Sequence, residues 1–191
     1  MTPNDDAARW NARYEEEKRS RFELPRPFLI ENAGLLPTHG LALEAAMGLG
    51  GSAGFLLESG LRVIGVDISI VAVRSAKQRY PRLMACTADL NSFHFPSHFF
   101  DVILNFYYLQ RDLWPYYKQA LRPNGLLFFE TLTLDMLETM PDIDPVYLLA
   151  PGELRQAFAN WEILVYREGW YSGDEGHPRA TAAMVARKPG Q

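Results

Sequence analysis

Short apolar runs alternate with segments of helical length over most of the chain. The apolar runs are continuous, as in Val102-Ile103-Leu104, which is typical of strands buried on both faces of a parallel sheet. The core strands predicted in this way are Leu41–Ala46, Leu61–Asp67, Arg82–Thr87, Phe100–Phe106 and Gly125–Thr131. The helices predicted between and after them are Ser52–Ser59, Ser69–Arg79, Asp112–Leu121 and Gly152–Phe158. The pattern therefore predicts an α/β fold with a mostly parallel sheet and helices on both faces.

The two ends of the chain depart from this alternation. The first forty residues are polar and then broken by prolines, and they predict two covering helices, Trp10–Arg21 and Phe28–Leu36. Near the C-terminus, two strand-like runs, Trp161–Arg167 and Arg179–Lys188, are separated by a Gly-rich stretch too short for a crossover helix. We expect an antiparallel hairpin that completes a seven-stranded sheet. Thr133–Ala150 is the longest irregular stretch and is predicted to be a lid or substrate loop.

The length of 191 residues fits one domain over residues 1–191. We divide it into a helical cover (1–40), a core with a Gly-rich turn (41–131) and a C-terminal part with loop, helix and hairpin (132–191). The net charge of -4 leaves no broad basic field, so we expect a small-molecule substrate and no nucleic acid. A single cysteine, no signal peptide and no apolar run of about 18 residues predict a cytoplasmic protein that does not enter a membrane. The composition leaves the oligomeric state open.

The Gly-rich turn is the most informative motif. An apolar run leads into Gly48-Leu49-Gly50-Gly51, a helix-length segment follows, and the next apolar run ends at Asp67. Glycines let the backbone approach a ligand closely, and the start of the following helix presents unpaired N–H groups. A carboxylate at the end of the second strand can accept hydrogen bonds from ribose hydroxyls. The spacing predicts a site for an adenosine-type cofactor.

Three chemistries fit the same residues. The turn satisfies a relaxed dinucleotide fingerprint, but no hydride-transfer residue is evident and no substrate domain fits the length. Gly50 to Gly54 also matches the nucleophile elbow of hydrolases, with His177 as a possible partner of Ser52. The segment before Leu41 supplies no earlier strand for an oxyanion loop, so we interpret Ser52 as a residue of the helix N-terminus. The third possibility rests on a family resemblance.

From Trp10 to the C-terminus, the chain resembles the class I S-adenosylmethionine-dependent methyltransferases. The similarity is greatest to the small bacterial branch that includes tellurite-resistance-type enzymes. It is carried by five blocks in the family's order and by an N-terminal Trp-Asn-x-Arg-Tyr element: Leu41–Gly50, Val66–Ser69, Thr87–Leu90, Phe100–Phe106, Ala120–Leu127 and Trp10–Tyr14. Each block alone is a weak signal, whereas all five at β-α spacing are specific.

The resemblance implies S-adenosylmethionine as the cofactor and the strand order 3-2-1-4-5-7-6. It places Glu44 at the acid position of the first motif, Asp67 on the ribose hydroxyls and Asp89 on the adenine amino group. The cofactor-binding residues that it implies are Trp10, Arg13, Glu44, Ala46, Gly48, Gly50, Asp67, Ile68, Asp89, Leu90, Asn105 and Phe106.

One position departs from the family pattern, which has glycine where this chain has Ala46. A non-catalytic S-adenosylmethionine-binding relative therefore remains an alternative to a methyltransferase. For an enzyme, we expect in-line displacement at the sulfonium methyl group, with Tyr108, Asp112 and His94 conceivable as bases and no catalytic residue assigned. Pro96 separates His94 from His98, so their spacing does not predict a metal site.

Overall fold

The computed structural model describes residues 3–15, 23–172 and 177–190. Its helices are α1 (Pro3–Glu15), α2 (Pro27–Glu31), α3 (Gly51–Glu58), α4 (Ile70–Arg79), α5 (Trp114–Ala120) and α6 (Glu153–Ala157). Its strands are β1 (Leu41–Ala45), β2 (Arg62–Asp67), β3 (Met84–Thr87), β4 (Phe100–Phe106), β5 (Leu121–Leu132), β6 (Glu162–Ser172) and β7 (Pro178–Arg187).

The seven strands form one sheet in the order β3-β2-β1-β4-β5-β7-β6. The five core strands are parallel, and β7 pairs antiparallel with both β5 and β6. This confirms the predicted fold class, the strand order and the C-terminal hairpin. β1 lies between β2 and β4, so the connection from β1 to β2 runs towards one edge of the sheet and the connection from β3 to β4 runs towards the other. This reversal opens a crevice at the carboxyl ends of β1 and β4.

Two apolar cores lie on opposite faces of the sheet. On one face, Leu41 and Leu43 of β1 pack with Tyr117 of α5 and Phe158 at the end of α6. On the other face, Ala42 packs in the cluster that holds residues of α3 and α4. The continuous apolar strands are therefore buried on both sides, as the pattern predicts.

Several boundaries differ from the predictions. The N-terminal helix begins at Pro3 instead of Trp10, and residues 16–21 of the predicted helix lie outside the described residues. A 3₁₀ turn, Arg111–Leu113, precedes α5 because Pro115 lies in its first turn and lacks an N–H group. β5 begins at Leu121, which pairs with Phe100 before the ladder shifts in register.

The C-terminal hairpin is longer than predicted. Ladder pairing continues to Ser172 opposite Pro178, so much of the Gly-rich stretch belongs to the strands. The predicted irregular segment 133–150 contains only short 3₁₀ turns, Leu134–Glu138 and Pro145–Tyr147. Within the described ranges, no helix is both long and apolar enough to span a membrane.

Candidate active site

A cavity of about 470 Å³ lies at the carboxyl ends of β1, β2 and β4, at the crevice where the strand order reverses. Helix α1 closes it on one side, and the segment after β5 reaches it on another. Its wall includes Trp10, Tyr14, Arg26, Glu44, Ala46, Gly48, Ser52, Asp67, Ile68, Asp89, Leu90, Asn91, Phe106, Tyr107, Tyr108, Thr131, Ile143 and Tyr147.

The carboxylate of Asp67 joins the ends of β1 and β2. Its Oδ2 accepts a hydrogen bond from the Gly48 N–H at 2.8 Å, and its Oδ1 accepts one from the Ser69 N–H at 2.8 Å. Burial raises the pKa of Asp67, while these backbone donors oppose the rise. Each oxygen of an ionised carboxylate has a second lone pair, so Asp67 retains capacity for ligand hydroxyl groups.

The Trp-Asn-x-Arg-Tyr element docks α1 beside the Gly-rich turn. The side-chain amide oxygen Oδ1 of Asn11 accepts hydrogen bonds from the Ser69 hydroxyl at 2.7 Å and from the Val71 N–H at 3.4 Å. Tyr14 is buried, and its ring stacks on Trp10 with centroids 5.6 Å apart. The element therefore closes the cavity with Trp10 and Tyr14 and is held at the start of α4 by Asn11.

Glu44 is a buried acid with an unused acceptor. Its side chain lines the cavity and is 5% exposed, and Oε2 has no hydrogen-bond partner among the described residues. Burial raises its pKa to about 8, while Arg26 and the N–H of Ala53 in α3 oppose the rise. An unsatisfied buried oxygen is costly, so its position in a cavity wall points to a hydrogen-bond donor on a ligand.

A strap formed by residues 23–26 crosses the start of α3. The Arg26 N–H donates to the Ser52 hydroxyl oxygen at 3.2 Å, which confirms Ser52 as a residue of the first helical turn. A Cβ at Gly51 would lie 2.4 Å from the Leu24 carbonyl oxygen, so only glycine lets the strap pass. The strap carries Arg26 into the cavity wall, with its guanidinium 4.7 Å from the Tyr107 ring centroid.

Two residues at strand ends adopt left-handed backbone conformations although they are not glycine. Ala46 follows β1 with φ 52°, and Tyr107 follows β4 with φ 53°. Both line the cavity. Ala46 therefore keeps the glycine-like backbone that the family pattern implies. The substitution of alanine for glycine produces local backbone strain and does not change the course of the backbone.

Beyond β4, polar groups hold the aromatic end of the cavity. The Asn105 side chain donates to the Tyr108 carbonyl oxygen at 2.6 Å and accepts from the Tyr117 hydroxyl at 2.9 Å. Burial, followed by the charges of Asp89 and Asp6, raises the pKa of Tyr108 to about 12. The phenol therefore stays protonated at neutral pH and can donate a hydrogen bond.

Most of the residues implied by the resemblance meet at this cavity, but Arg13, Gly50 and Asn105 do not line it. Arg13 lies 5.7 Å from the Trp10 ring centroid, and Gly50, with φ 78°, precedes α3 against Ala76. Asn105 acts from beneath, through Tyr108. The sequence analysis missed Arg26, whose only signal is its place between two prolines. The segment 133–150, predicted as a lid or substrate loop, does reach the cavity, with Ile143 and Tyr147 in its wall. The part of the chain described here contains no group of three or more His, Cys, Asp or Glu side chains that could hold a metal ion.

Comparison with known proteins decides among the three chemistries. Residues 42–125 match the sequence profile of a family described as a methyltransferase domain. This match and the fold support a class I S-adenosylmethionine-dependent methyltransferase domain with S-adenosylmethionine as its cofactor. They do not support the NAD and hydrolase hypotheses. A search of curated protein sequences found no match to the chain.

Solved structures show the same fold at low sequence identity. An S-adenosylmethionine-dependent methyltransferase from Methanosarcina mazei is 17% identical, with 88% of this chain and 100% of that chain covered and a TM-score of 0.71. TehB from Haemophilus influenzae is 18% identical, with 84% and 61% covered and a TM-score of 0.70. A geranyl diphosphate C-methyltransferase from Streptomyces coelicolor A3(2) is 13% identical, with 98% and 99% covered and a TM-score of 0.71.

The buried acid predicts a pH dependence of stability. Because the folded methyltransferase domain raises the pKa of Glu44 from 4.5 to about 8, it binds a proton that the unfolded chain releases between these pH values. Stability due to this group therefore falls as pH rises through that window, by at most about 1.4 kcal/mol per pH unit. Glu44→Gln removes the titration. In thermal unfolding without ligand, we expect the stability of the variant relative to the wild type to increase from pH 5 to pH 8.5. A difference that stays constant with pH would contradict this assignment.

Backbone strain at Ala46 predicts a stabilising substitution. The left-handed conformation costs a non-glycine residue about 1–2 kcal/mol, partly offset by the greater entropy that glycine loses on folding. We expect Ala46→Gly to raise the melting temperature by about 2–4 °C and to preserve or strengthen cofactor binding. His98→Gly is the matched control, since His98 is exposed, has φ 50° and lies outside the cavity wall. A lower melting temperature for Ala46→Gly than for the wild type would show that the strain is absent.

Proposed function

We propose that this methyltransferase domain binds S-adenosylmethionine in the cavity at the ends of β1, β2 and β4 and transfers the methyl group to a small molecule. The observation that carries the proposal is the pair of buried carboxylates in one wall, Glu44 with an unpartnered oxygen and Asp67 with unused lone pairs. Both lie at the point where the strand order reverses, and α1 closes the space above them.

The chemistry of the wall suits the different parts of the cofactor. Glu44 is placed to accept a hydrogen bond from an ammonium group, and its negative form suits a cationic ligand. Asp67 suits the ribose hydroxyls, while Asp89 and the buried Leu90 suit the adenine ring. The positive charge of Arg26 lowers the pKa of Glu44. Arg26, instead of the exposed Arg13, would bind the carboxylate group of the cofactor.

When bound, the cofactor supplies a methyl group that is already activated on a sulfonium. The task of the protein is then to align the nucleophile and to exclude water. Phe106, Tyr107 and Tyr108 present aromatic rings at the end of β4, where ring faces stabilise a nearby cation. Trp10 and Tyr14 cover the cavity from α1.

The residues considered as bases do not support general-base catalysis. Tyr108 holds its proton at neutral pH, because its pKa is raised to about 12. Asp112 and His94 do not belong to the cavity wall. The arrangement favours an acceptor that offers its lone pair without help from a protein base.

Two observations support a small acceptor. The acidic composition provides no broad basic field for a nucleic acid. The similar fold from Streptomyces coelicolor has been solved with geranyl diphosphate, which is a small molecule. The remaining wall of the cavity includes Thr131, Ile143 and Tyr147, whose side chains suit a compact, partly aromatic compound.

The alternative of a non-catalytic binding relative rests on Ala46. The left-handed conformation of Ala46 weakens the ground for this alternative, because the backbone keeps the path that glycine would take. The two alternatives differ in turnover. With radiolabelled cofactor and thiophenol, p-cresol, benzylamine or benzoate as acceptor, we expect label in the product of at least one. Cofactor binding without label in any product would favour the non-catalytic relative.

The ribose assignment gives a direct prediction. Asp67→Ala removes the carboxylate that would bind the ribose and also releases the Gly48 and Ser69 amides, so we expect no heat of S-adenosylmethionine binding in calorimetric titration. Asp112→Ala is the control, because Asp112 is exposed and outside the cavity wall. An unchanged affinity in Asp67→Ala would remove this assignment.

A further inference from the structure

The cavity has a second wall that belongs to none of the sequence motifs. It comes from the segment after β5, in which Ile143 and Tyr147 line the cavity. We call residues 139–148 the wall loop. Most of its residues are exposed, and its backbone hydrogen bonds are short-range, as in Ile143 N–H to the Met140 carbonyl oxygen and Tyr147 N–H to the Asp144 carbonyl oxygen.

Backbone hydrogen bonds between Leu132, Leu134 and Leu149 join the chain on both sides of the wall loop, and we call this junction the neck. Leu149 donates its N–H to the Leu132 carbonyl oxygen at 2.9 Å, and Leu134 donates to the Leu149 carbonyl oxygen at 2.9 Å. The buried Met136 and Leu148 pack near this neck. The neck therefore fixes the two ends of the wall loop, but it does not fix the position of Tyr147, which is 48% exposed.

Arg111 reaches the wall loop from the other side of the cavity. Its Nη1 donates to the Val146 carbonyl oxygen at 3.0 Å, and its Nη2 donates to the Leu148 carbonyl oxygen at 2.9 Å. These two carbonyl groups flank Tyr147 in the chain. Arg111 itself follows Gln110, which lines the cavity beyond β4.

Glu153, the first residue of α6, orients the guanidinium. Its Oε1 accepts from Arg111 Nε at 2.5 Å and its Oε2 from Nη2 at 2.9 Å, which is a bidentate geometry. Oε2 also accepts from the Ala150 N–H at 2.8 Å. Hydrogen bonds from Arg111 hold the pKa of Glu153 below its usual range, so the pair stays ionised at neutral pH.

We propose that Arg111 and Glu153 form a latch that holds the wall loop against the cavity, so that Ile143 and Tyr147 present a fixed surface to the methyl acceptor. This inference rests on the proposed function, because it takes the ligand beside the wall loop to be a methyl acceptor. Arg111 is a positioning residue, because its contacts with the wall are to carbonyl groups beside Tyr147 and not to the cavity itself. The cofactor residues of β1 and β2 lie outside the network.

The latch is not a device for global stability. Both side chains are partly exposed, 39% for Arg111 and 23% for Glu153, and exposed ion pairs contribute little to the free energy of unfolding. Local order is a different quantity, because a loop held by few contacts opens independently of the core. Loss of the latch should therefore change the loop and leave the melting temperature nearly unchanged.

Arg122 offers a matched control. It forms an ion pair in which its Nη1 donates to both carboxylate oxygens of Asp101, at 2.8 and 2.9 Å, and the side chains are 46% and 25% exposed. This pair lies beside the start of β1, at the opposite edge of the sheet from the cavity, since Asp101 also accepts from the Leu41 N–H. Arg122→Gln thus removes a comparable ion pair without touching the wall loop.

The first test is amide hydrogen exchange of the full chain without ligand. In Arg111→Gln, we expect faster exchange in peptides covering residues 139–148 than in the wild type and in Arg122→Gln, with no change in β1 or α3. Equal exchange in the wall loop of all three proteins would overturn the latch. This readout does not depend on whether the chain methylates any compound.

The second test separates the acceptor from the cofactor. We use the acceptor that the labelled panel selects and measure its KM together with the dissociation constant of S-adenosylmethionine. Arg111→Gln should raise the acceptor KM about tenfold or more. The cofactor dissociation constant should stay within about twofold of the wild type. Faster loop exchange with an unchanged acceptor KM would refute the wall, whereas loss of cofactor binding in the wild type would refute only the proposed function.

Discussion

The site depends on a single carboxylate that connects three parts of the chain. Asp67 accepts the Gly48 N–H from the turn after β1 and the Ser69 N–H from the turn before α4. The hydroxyl of Ser69 in turn accepts the Ala72 N–H and donates to Asn11 of α1. The Gly-rich turn, the start of α4 and the helical cover are therefore positioned by one chain of hydrogen bonds. A ligand that binds Asp67 would be linked to all three through this chain.

A buried acid and two strained backbone positions lie together in the cavity wall. Glu44 is buried in the cavity wall, and its pKa is raised by burial while the charge of Arg26 opposes the rise. Ala46 and Tyr107 hold left-handed backbones at the ends of adjacent strands. Unfavourable features concentrated in one cavity are typical of functional sites, because a bound ligand can satisfy them and the surrounding sheet holds them in place.

The sequence predicts the sheet well because its strands are continuous apolar runs and the family blocks fix their order. It also predicts Asp67 and Glu44, since each has a motif position at the end of a strand. It predicts a lid or substrate loop over 133–150, which holds Tyr147. It does not predict Arg26 or the contact of Arg111 with this loop, because both depend on tertiary contacts: Gly51 lets the strap cross α3, and Arg111 binds Val146, which lies 35 residues further along the chain. Arg13 and Asn105 have motif positions but do not line the cavity, since a motif position does not specify the direction of a side chain.

The two halves of the cavity differ in how they are held, and this difference has a physical consequence. The side that holds Asp67 is fixed by buried hydrogen bonds from backbone N–H groups in the turns after β1 and β2. The opposite side is fixed by a partly exposed guanidinium that binds carbonyl groups of a loop. Buried hydrogen bonds are insensitive to salt, whereas exposed ionic contacts weaken as salt increases. The geometry of the wall loop is therefore adjustable by changes in the loop or in its charged contacts, while the half that holds Asp67 keeps the rigidity of the sheet.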